Sequence, residues 1–188
     1  MIQPFLEVLT RCYKRPVMLT CNRRSLTGQT SSDWAQTLLV DEVGQGIAES
    51  YRRMGKYAPN LIGRYVWILD DDDECARFTL LAELKRIWED HDPDVIMVRM
   101  EHGVNGQSNI LPDASHWQRT DLQRGDLGVS AFIVRRELWQ KHAPVMVDQA
   151  AYAADFDFIS AILADQPRVY WHDVVASRVQ RVSLGIPE

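Results

Sequence analysis

The 188-residue chain has three cysteines, Cys12, Cys21 and Cys75, and no C-x-x-C pair. That odd, scattered set excludes a disulfide framework or a zinc cluster and fits reduced thiols. No apolar run approaches the roughly 18 to 20 residues of a membrane-spanning helix. The opening MIQPFLEVLTRCYKRP holds Glu7 inside an apolar stretch too short for a signal peptide, so a soluble, cytoplasmic protein is expected. An excess of positive charge is also missing. Twenty-one Lys and Arg against 26 Asp and Glu give a net charge of −5, which excludes a general nucleic-acid coat but leaves room for a local basic groove. There is no internal repeat, low-complexity tract or Gly/Ser linker, so residues 1–188 are expected to form one domain. Hydrophobic residues at 46% and charged residues at 25% exclude wholesale disorder.

What is present reads as alternating strands and helices. Phe5–Thr10, Trp34–Val40, Arg64–Leu69 and Asp94–Met100 are short apolar runs suited to strands. Between them lie three helical segments. One starts at Pro16 and is capped near Gly28, a second covers Ile47–Met54, and a third covers Cys75–His91. In the last, Phe78, Leu81, Leu84, Ile87 and Trp88 form an amphipathic face. This order predicts an α/β fold, a Rossmann-like and mostly parallel sheet with helices on both faces. The second half departs from it. Glu101–Gly125 reads as a long polar loop with room for a short hairpin. Gly128–Val134 and Arg168–Val175 read as strands, Arg135–His142 and Asp155–Asp165 as helices, so the sheet is expected to become mixed there.

The strand RYVWIL runs straight into Asp70-Asp71-Asp72-Asp73-Glu74. In open parallel sheets ligands bind beyond the carboxyl ends of strands. Adjacent carboxylates repel, by about 4 kcal/mol for two charges about 4 Å apart at an effective dielectric near 20. A hard divalent cation, Mg2+ or Mn2+, removes that cost and completes its shell from substrate phosphates. The alternative is that the acids only favour the N-terminus of the helix that follows, which accounts for Asp73 and Glu74 but not Asp70. Asp41 closes the second strand, where an acid meets a ribose or base, or else caps the Ile47 helix. Asp155 and Asp157 open a late helix, where acids commonly serve as caps. Trp67 and Trp88 fit core patterns, whereas Trp117, in the polar loop, is a candidate for stacking on a sugar. Arg11, Lys14, Arg15, Arg23 and Arg24 cluster near the first strand end, as a solvated face or as contacts to a diphosphate or an anionic acceptor, Arg15 foremost.

Taken in order, these segments resemble the GT-A glycosyltransferases, in particular the inverting family 2 that uses nucleotide sugars. Leu9-Thr10-Arg11-Cys12-Tyr13-Lys14-Arg15-Pro16 is similar to the family's first-strand signature, and Ser25-Leu26 with Gln29-Thr30 to the end of its first helix. Leu38-Leu39-Val40-Asp41 resembles its second strand, Ile68-Leu69-Asp70-Asp71-Asp72-Asp73 its Asp-x-Asp (DXD) stretch, Gly128–Arg136 its acceptor-side strand, and Ala154-Asp155-Phe156-Asp157 its Glu-Asp-aromatic-Asp segment. The resemblance spans residues 5–182 and implies a nucleotide-binding half over about 1–100 and an acceptor half over about 101–188.

The implied activity is that of a metal-dependent inverting glycosyltransferase of the hexosyl-transferring type, with a nucleoside diphosphate sugar, most often a UDP-sugar, as donor. The implied donor contacts are Thr10, Arg15, Asp41, Asp70 and Asp71. Asp72 would hold Mn2+ or Mg2+, with His172 a candidate further ligand. Asp155 would be the general base, and Asp157 the alternative, because Ala154 stands where the family usually carries an acid. Arg178 and Arg181 fall where such enzymes often close a loop on the pyrophosphate. The acceptor stays open among a glycan, a lipid-linked or small molecule, a protein and a modified nucleic acid.

Two other classes compete. A metal-dependent phosphotransferase usually carries its Asp-x-Asp on the first strand, and here it follows the third; a nucleotidyltransferase needs a glycine-rich loop, and TRCYKRP has no glycine. A non-catalytic nucleotide-sugar or glycan-binding module is the second class, and Ala154 favours it.

Overall fold

The computed structural model describes residues 3–104, 107–119, 121–148 and 154–180. Eight strands and five helices follow in the order β1 (Leu6–Cys12), α1 (Pro16–Thr27), β2 (Trp34–Val40), α2 (Ile47–Tyr57), β3 (Tyr65–Ile68), β4 (Asp73–Cys75), α3 (Leu80–His91), β5 (Val95–Val104), β6 (Gln107–Leu111), β7 (Phe132–Arg135), α4 (Arg136–Asp148), α5 (Ala154–Ala164) and β8 (Val169–Val179). A 3-10 turn, Ala58–Asn60, follows α2.

All eight strands join one sheet in the order β2-β1-β3-β7-β5-β8-β4, with β6 hairpinned onto β5. β1 pairs in parallel with both β2 and β3. β7 then runs antiparallel to β3 and β5, and β5 is parallel to β8. The sheet is thus parallel in the first half and mixed in the second, as the pattern predicted.

Strand side chains alternate between two cores. Tyr65, Trp67 and Leu69 face one side with Leu26 of α1 and Leu80, Leu81, Leu84 and Ile87 of α3. Val66 and Ile68 face the other with Tyr51 and Met54 of α2, Trp139 and Met146 of α4, and Phe158 of α5. Period-two alternation across a two-faced sheet produces this division. α2 and α4 approach closely at Gly55, where a Cβ would stand 2.7 Å from Val147 Cγ2 and 2.8 Å from the Ala143 carbonyl oxygen. Trp67 is fully buried and donates to the Ser130 carbonyl at 2.9 Å.

Two boundaries moved. The helix expected from Cys75 starts at Leu80, because Asp73–Cys75 pairs instead with Ser177–Val179 of β8. That pairing also lengthens β8 to Val179 and leaves Phe78 68% exposed outside the helix. Asp73 and Glu74 therefore lie on a strand, away from the first turn of α3, and the dipole explanation for them fails. The expected hairpin in the long loop is present as β5 and β6.

Candidate functional site

β1 lies between β2 and β3, and the chain crosses β1 on its way from one to the other. That is a topological switch point, where open sheets bind ligands at the carboxyl edge. Asp41 and Asp70 follow the two strands that flank β1, with Asp41 N–H donating to Cys12 O at 2.8 Å and Asp71 N–H to Arg11 O at 3.2 Å.

Side-chain amides hold the acid turn in shape. Asn22 of α1, fully buried, sends Nδ2 to the carbonyls of Asp70 at 2.9 Å and Asp73 at 3.0 Å. Its Oδ1 accepts from Gln36 Nε2 at 2.7 Å, and the same Nε2 reaches the Thr10 hydroxyl at 2.8 Å. From the other side, Gln180 N–H donates to Asp72 O at 2.7 Å, and its Nε2 reaches Asp71 O at 3.2 Å and Met18 O at 2.9 Å. Asn22, Gln36 and Gln180 were not among the expected site residues. A lone amide in a helix, a strand or a terminus carries no pattern that announces a long-range clamp.

The carboxylates of the turn are not left to repel one another. Arg11 binds Asp70 in a bidentate pair, Nε to Oδ1 at 2.6 Å and Nη2 to Oδ2. Arg15 Nη1 spans Asp71 Oδ1 at 3.2 Å and Asp72 Oδ2 at 2.5 Å. Tyr13 N–H adds 2.9 Å to Asp71 Oδ2. Burial raises Asp71 above the usual carboxylate range even so, against the pull of Tyr13 N–H and Arg15. Asp73 is raised much further, by burial and then by the charges of Asp70 and Asp72. Repulsion alone therefore does not require a metal, since two arginines and a buried acid meet most of the cost.

The same geometry tests whether a divalent ion fits. Among the described residues no three His, Cys, Asp or Glu side chains converge into a cage. Magnesium and manganese bound to a diphosphate need only one or two carboxylates. Asp72 meets that need: its side chain is 32% exposed at the cleft, and its partner Arg15 is 48% exposed. Asp70, locked to Arg11, does not.

The cleft, of about 310 Å3, is bounded by the acid turn, by Tyr13 and Arg15, and by the loop from Asp41 to Ile47. Asp41 builds that loop. Its Oδ1 accepts from Val43 N at 3.2 Å and Gly44 N at 2.9 Å, and its Oδ2 from Gln45 N at 2.6 Å. Burial opposes ionisation, but these donors and Arg53 outweigh it and hold Asp41 below the usual range. Asp41 thus orders the turn ahead of α2 and lines the cleft, but it does not cap the helix, whose N-cap is Gly46 with no side-chain hydrogen bond. Gly44, at φ 82°, lies so close to the Tyr13 ring that a Cβ there would stand 2.4 Å from the phenol oxygen.

Asp155 stands in the first turn of α5 and is not among the residues that line this cleft. Burial raises Asp155 above the usual carboxylate range, against the pull of the Phe156 N–H and the Arg11 charge. Asp157, two residues on, is held by Arg124 Nη2 at 2.7 and 2.9 Å. Other expected site residues are not brought together. Thr10 is fully buried in the amide network and does not line the cleft. His172 pairs with Glu83 of α3 at 2.8 Å, far along β8 from the acid turn. Arg178 pairs with Glu101 at 3.4 Å, and Arg181 lies outside the described residues. Trp117 packs edge-on against Trp171, at 5.0 Å between ring centroids, beneath the Arg99 guanidinium at 4.2 Å.

No protein-family model matches the sequence, and no curated protein is detectably similar. Solved structures do match in fold. S. aureus TarS 1–349 in complex with UDP-GlcNAc superposes with a TM-score of 0.66 at 15% identity, over 94% of this chain and 58% of that one. The mannosyltransferase PcManGT from Pyrobaculum calidifontis, in complex with GDP-Man and Mn2+, gives 0.61 at 12% identity, over 98% of this chain and 59% of that one. A197 from STIV gives 0.52 at 11%, over 89% and 81%. The fold is therefore GT-A-like, and the chain spans less than two thirds of the TarS 1–349 and PcManGT chains.

Proposed function

We propose that this chain, as a single domain, is a glycosyltransferase that moves a sugar from a nucleoside diphosphate sugar to an acceptor hydroxyl with inversion. The observation that carries the proposal is a cleft at the switch point of a GT-A-like sheet, lined by Arg15, Asp41 and the acids Asp70, Asp71 and Asp72. Structures of the same fold hold UDP-GlcNAc and GDP-Man.

In this reading Asp41 meets the nucleobase. A carboxylate has about four acceptor positions, and the loop takes three. Arg15, half exposed beside the acid turn, turns to the diphosphate. Asp72, with Asp71 behind it, would hold Mn2+ or Mg2+, which supplies Lewis-acid stabilisation of the leaving diphosphate. Asp155 accepts the proton of the acceptor hydroxyl as its oxygen attacks the anomeric carbon. That attack comes from the face opposite the leaving group, so the configuration inverts. A carboxyl raised by burial suits a base working near neutral pH.

Nucleotide release from a panel of nucleotide sugars, with and without Mn2+, tests the proposal. Release is expected from at least one donor. Asp155→Asn is expected to bind that donor normally and to lose about 100-fold or more of the turnover. Donor binding without release by the native protein would favour the binding-module alternative.

A further inference from the structure

β2 ends the sheet: β1 pairs with one side of it, and among the described residues no strand pairs with the other. Backbone direction alternates along a strand, so only every second residue of β2 bonds to β1. Leu6 N–H donates to Asp33 O at 3.3 Å and Asp41 N–H to Cys12 O at 2.8 Å, so those residues are the odd-numbered ones. Trp34, Gln36, Leu38 and Val40 therefore turn their N–H and C=O groups outward. Arg53 Nη1 takes the Val40 carbonyl at 2.8 Å. Among the described residues nothing pairs with the backbone of Trp34, Gln36 or Leu38. Open edges are commonly blunted by charge, proline or a bulge. Trp34-Ala35-Gln36-Thr37-Leu38-Leu39-Val40 has no charge and no proline, and its register with β1 runs without a shift.

We propose that β2 pairs antiparallel with β2 of a second copy of this chain, about a two-fold axis at Gln36, and joins two sheets into one. The pairing is independent of the reaction proposed above. With the axis at Gln36, Gln36 meets Gln36 and Trp34 meets Leu38. Each pair exchanges both bonds, so the ladder uses every free N–H and C=O of the three residues in both copies. Charge selects this register. An axis at Thr37 would set Asp33 against Asp41 on both sides, and like charges directly opposite one another destabilise a sheet. It would also set Trp34 against Val40, whose carbonyl Arg53 already holds. An axis at Leu38 meets the same occupied carbonyl through Gln36, and one at Ala35 leaves Leu38 opposite Ser32, outside the strand. With the axis at Gln36, Asp33 faces Leu39 and Asp41 faces Ser31, so no two acids oppose. Trp34, which packs on the core beneath α1 and α3, gains a cross-strand leucine on each side of the axis. An uncharged strand whose free groups match their own reversed copy fits an isologous partner. The strands run in opposite directions, so the two clefts, each beyond the carboxyl end of its own β2, lie at opposite ends of the joint.

Sedimentation velocity of the whole chain tests the association, and amide hydrogen exchange read by NMR tests the strand. A joint of this size is weak, so the shift from one chain to two is expected between roughly 10 μM and 1 mM. Over that range the amides of Trp34, Gln36 and Leu38 should exchange several-fold more slowly. Those of Ala35, Thr37 and Leu39, bonded to β1 in either state, should change little. In mixed-label dimers a nuclear Overhauser contact between Ala35 Hα of one copy and Thr37 Hα of the other fixes the axis at Gln36. Leu38→Pro removes an outward N–H and no bond to β1, as an edge strand tolerates, so it should keep the fold and lose the dimer. If that variant failed to fold, the exchange pattern of the native chain would still decide. A native chain that stays monomeric throughout, its edge left for a different protein, overturns the proposal. So does a folded Leu38→Pro that still dimerises, or concentration-dependent protection that lies away from β2.

Discussion

At the acid turn Asp70, Asp71 and Asp72 each have an arginine partner, and amides from α1 and from the end of β8 fix the backbone between them. At the start of α5, Asp155 is raised by burial, against the Phe156 N–H and the charge of an arginine already committed to Asp70. The same side chain is used in two ways. Where acids crowd, charge balance makes them a scaffold. Where one acid is buried with few partners, it keeps the proton affinity a base needs. In the proposed reaction, local density of aspartate is therefore a poor guide to which of them does chemistry.

Arg11 is where the two regions meet, and removing it gives the largest expected effect. Its side chain is 13% exposed and that of Asp70 16%, so Arg11→Met strands a mostly buried carboxylate. A loss of about 3 kcal/mol is expected in urea unfolding. Arg11→Met combined with Asp70→Asn should recover much of it. If the single variant lost less than about 1 kcal/mol, the acid turn would not depend on its arginines, and the contrast with α5 would collapse.

Asp73 probes the turn with the opposite sign. Its folded-state pKa is raised, by burial and by Asp70 and Asp72. A raised carboxyl opposes folding when it must ionise, and that opposition disappears as pH falls through its folded-state pKa. Asp73→Asn should therefore stabilise the protein by about 1 kcal/mol at pH 8, with the gain shrinking as the pH is lowered. Unfolding midpoints measured across that range decide it, and a variant destabilised at every pH would show that Asp73 works as an ionised partner.

Much of this was legible in the sequence, and the parts that were not share a cause. β1, β2 and β3 followed from apolar runs, the last two closed by acids, and α5 from Phe158, Ile159 and Ile162 on one face. What escaped was set by distant pairing. β4 exists because Asp73–Cys75 finds β8, about a hundred residues later in the chain, and no local pattern announces it. His172 looked available as a ligand and is taken by Glu83. Burial pushes Glu83 up, but Arg77, Thr79 and His172 together hold its carboxyl down at about 2. Thr10 matched a signature and is used inside the fold, because residues alternate faces along β1 and its face meets Asn22 and Gln36 rather than the cleft. Strand ends and helix faces are local properties; the partner of a charged side chain is not.

Arg15 sharpens the comparison with the smallest expected change in stability. Its pairs with Asp71 and Asp72 are half open to water, so Arg15→Met should cost no more than about 0.5 kcal/mol. Binding separates its two roles. If Arg15 only balances the acids, its removal leaves Asp71 and Asp72 more negative, which favours a divalent cation and disfavours an anion. If it also turns to a diphosphate, UDP loses a direct contact as well, and its affinity at fixed Mn2+ should drop by about tenfold, the equivalent of one charged hydrogen bond. Calorimetry of Mn2+ alone and of UDP with Mn2+ resolves the two, because a counter-ion leaves the second affinity nearly unchanged while tightening the first. Since Arg15 is 48% exposed against 13% for Arg11, this exchange is open to Arg15 and closed to Arg11, whose pair is bidentate and largely shielded from water.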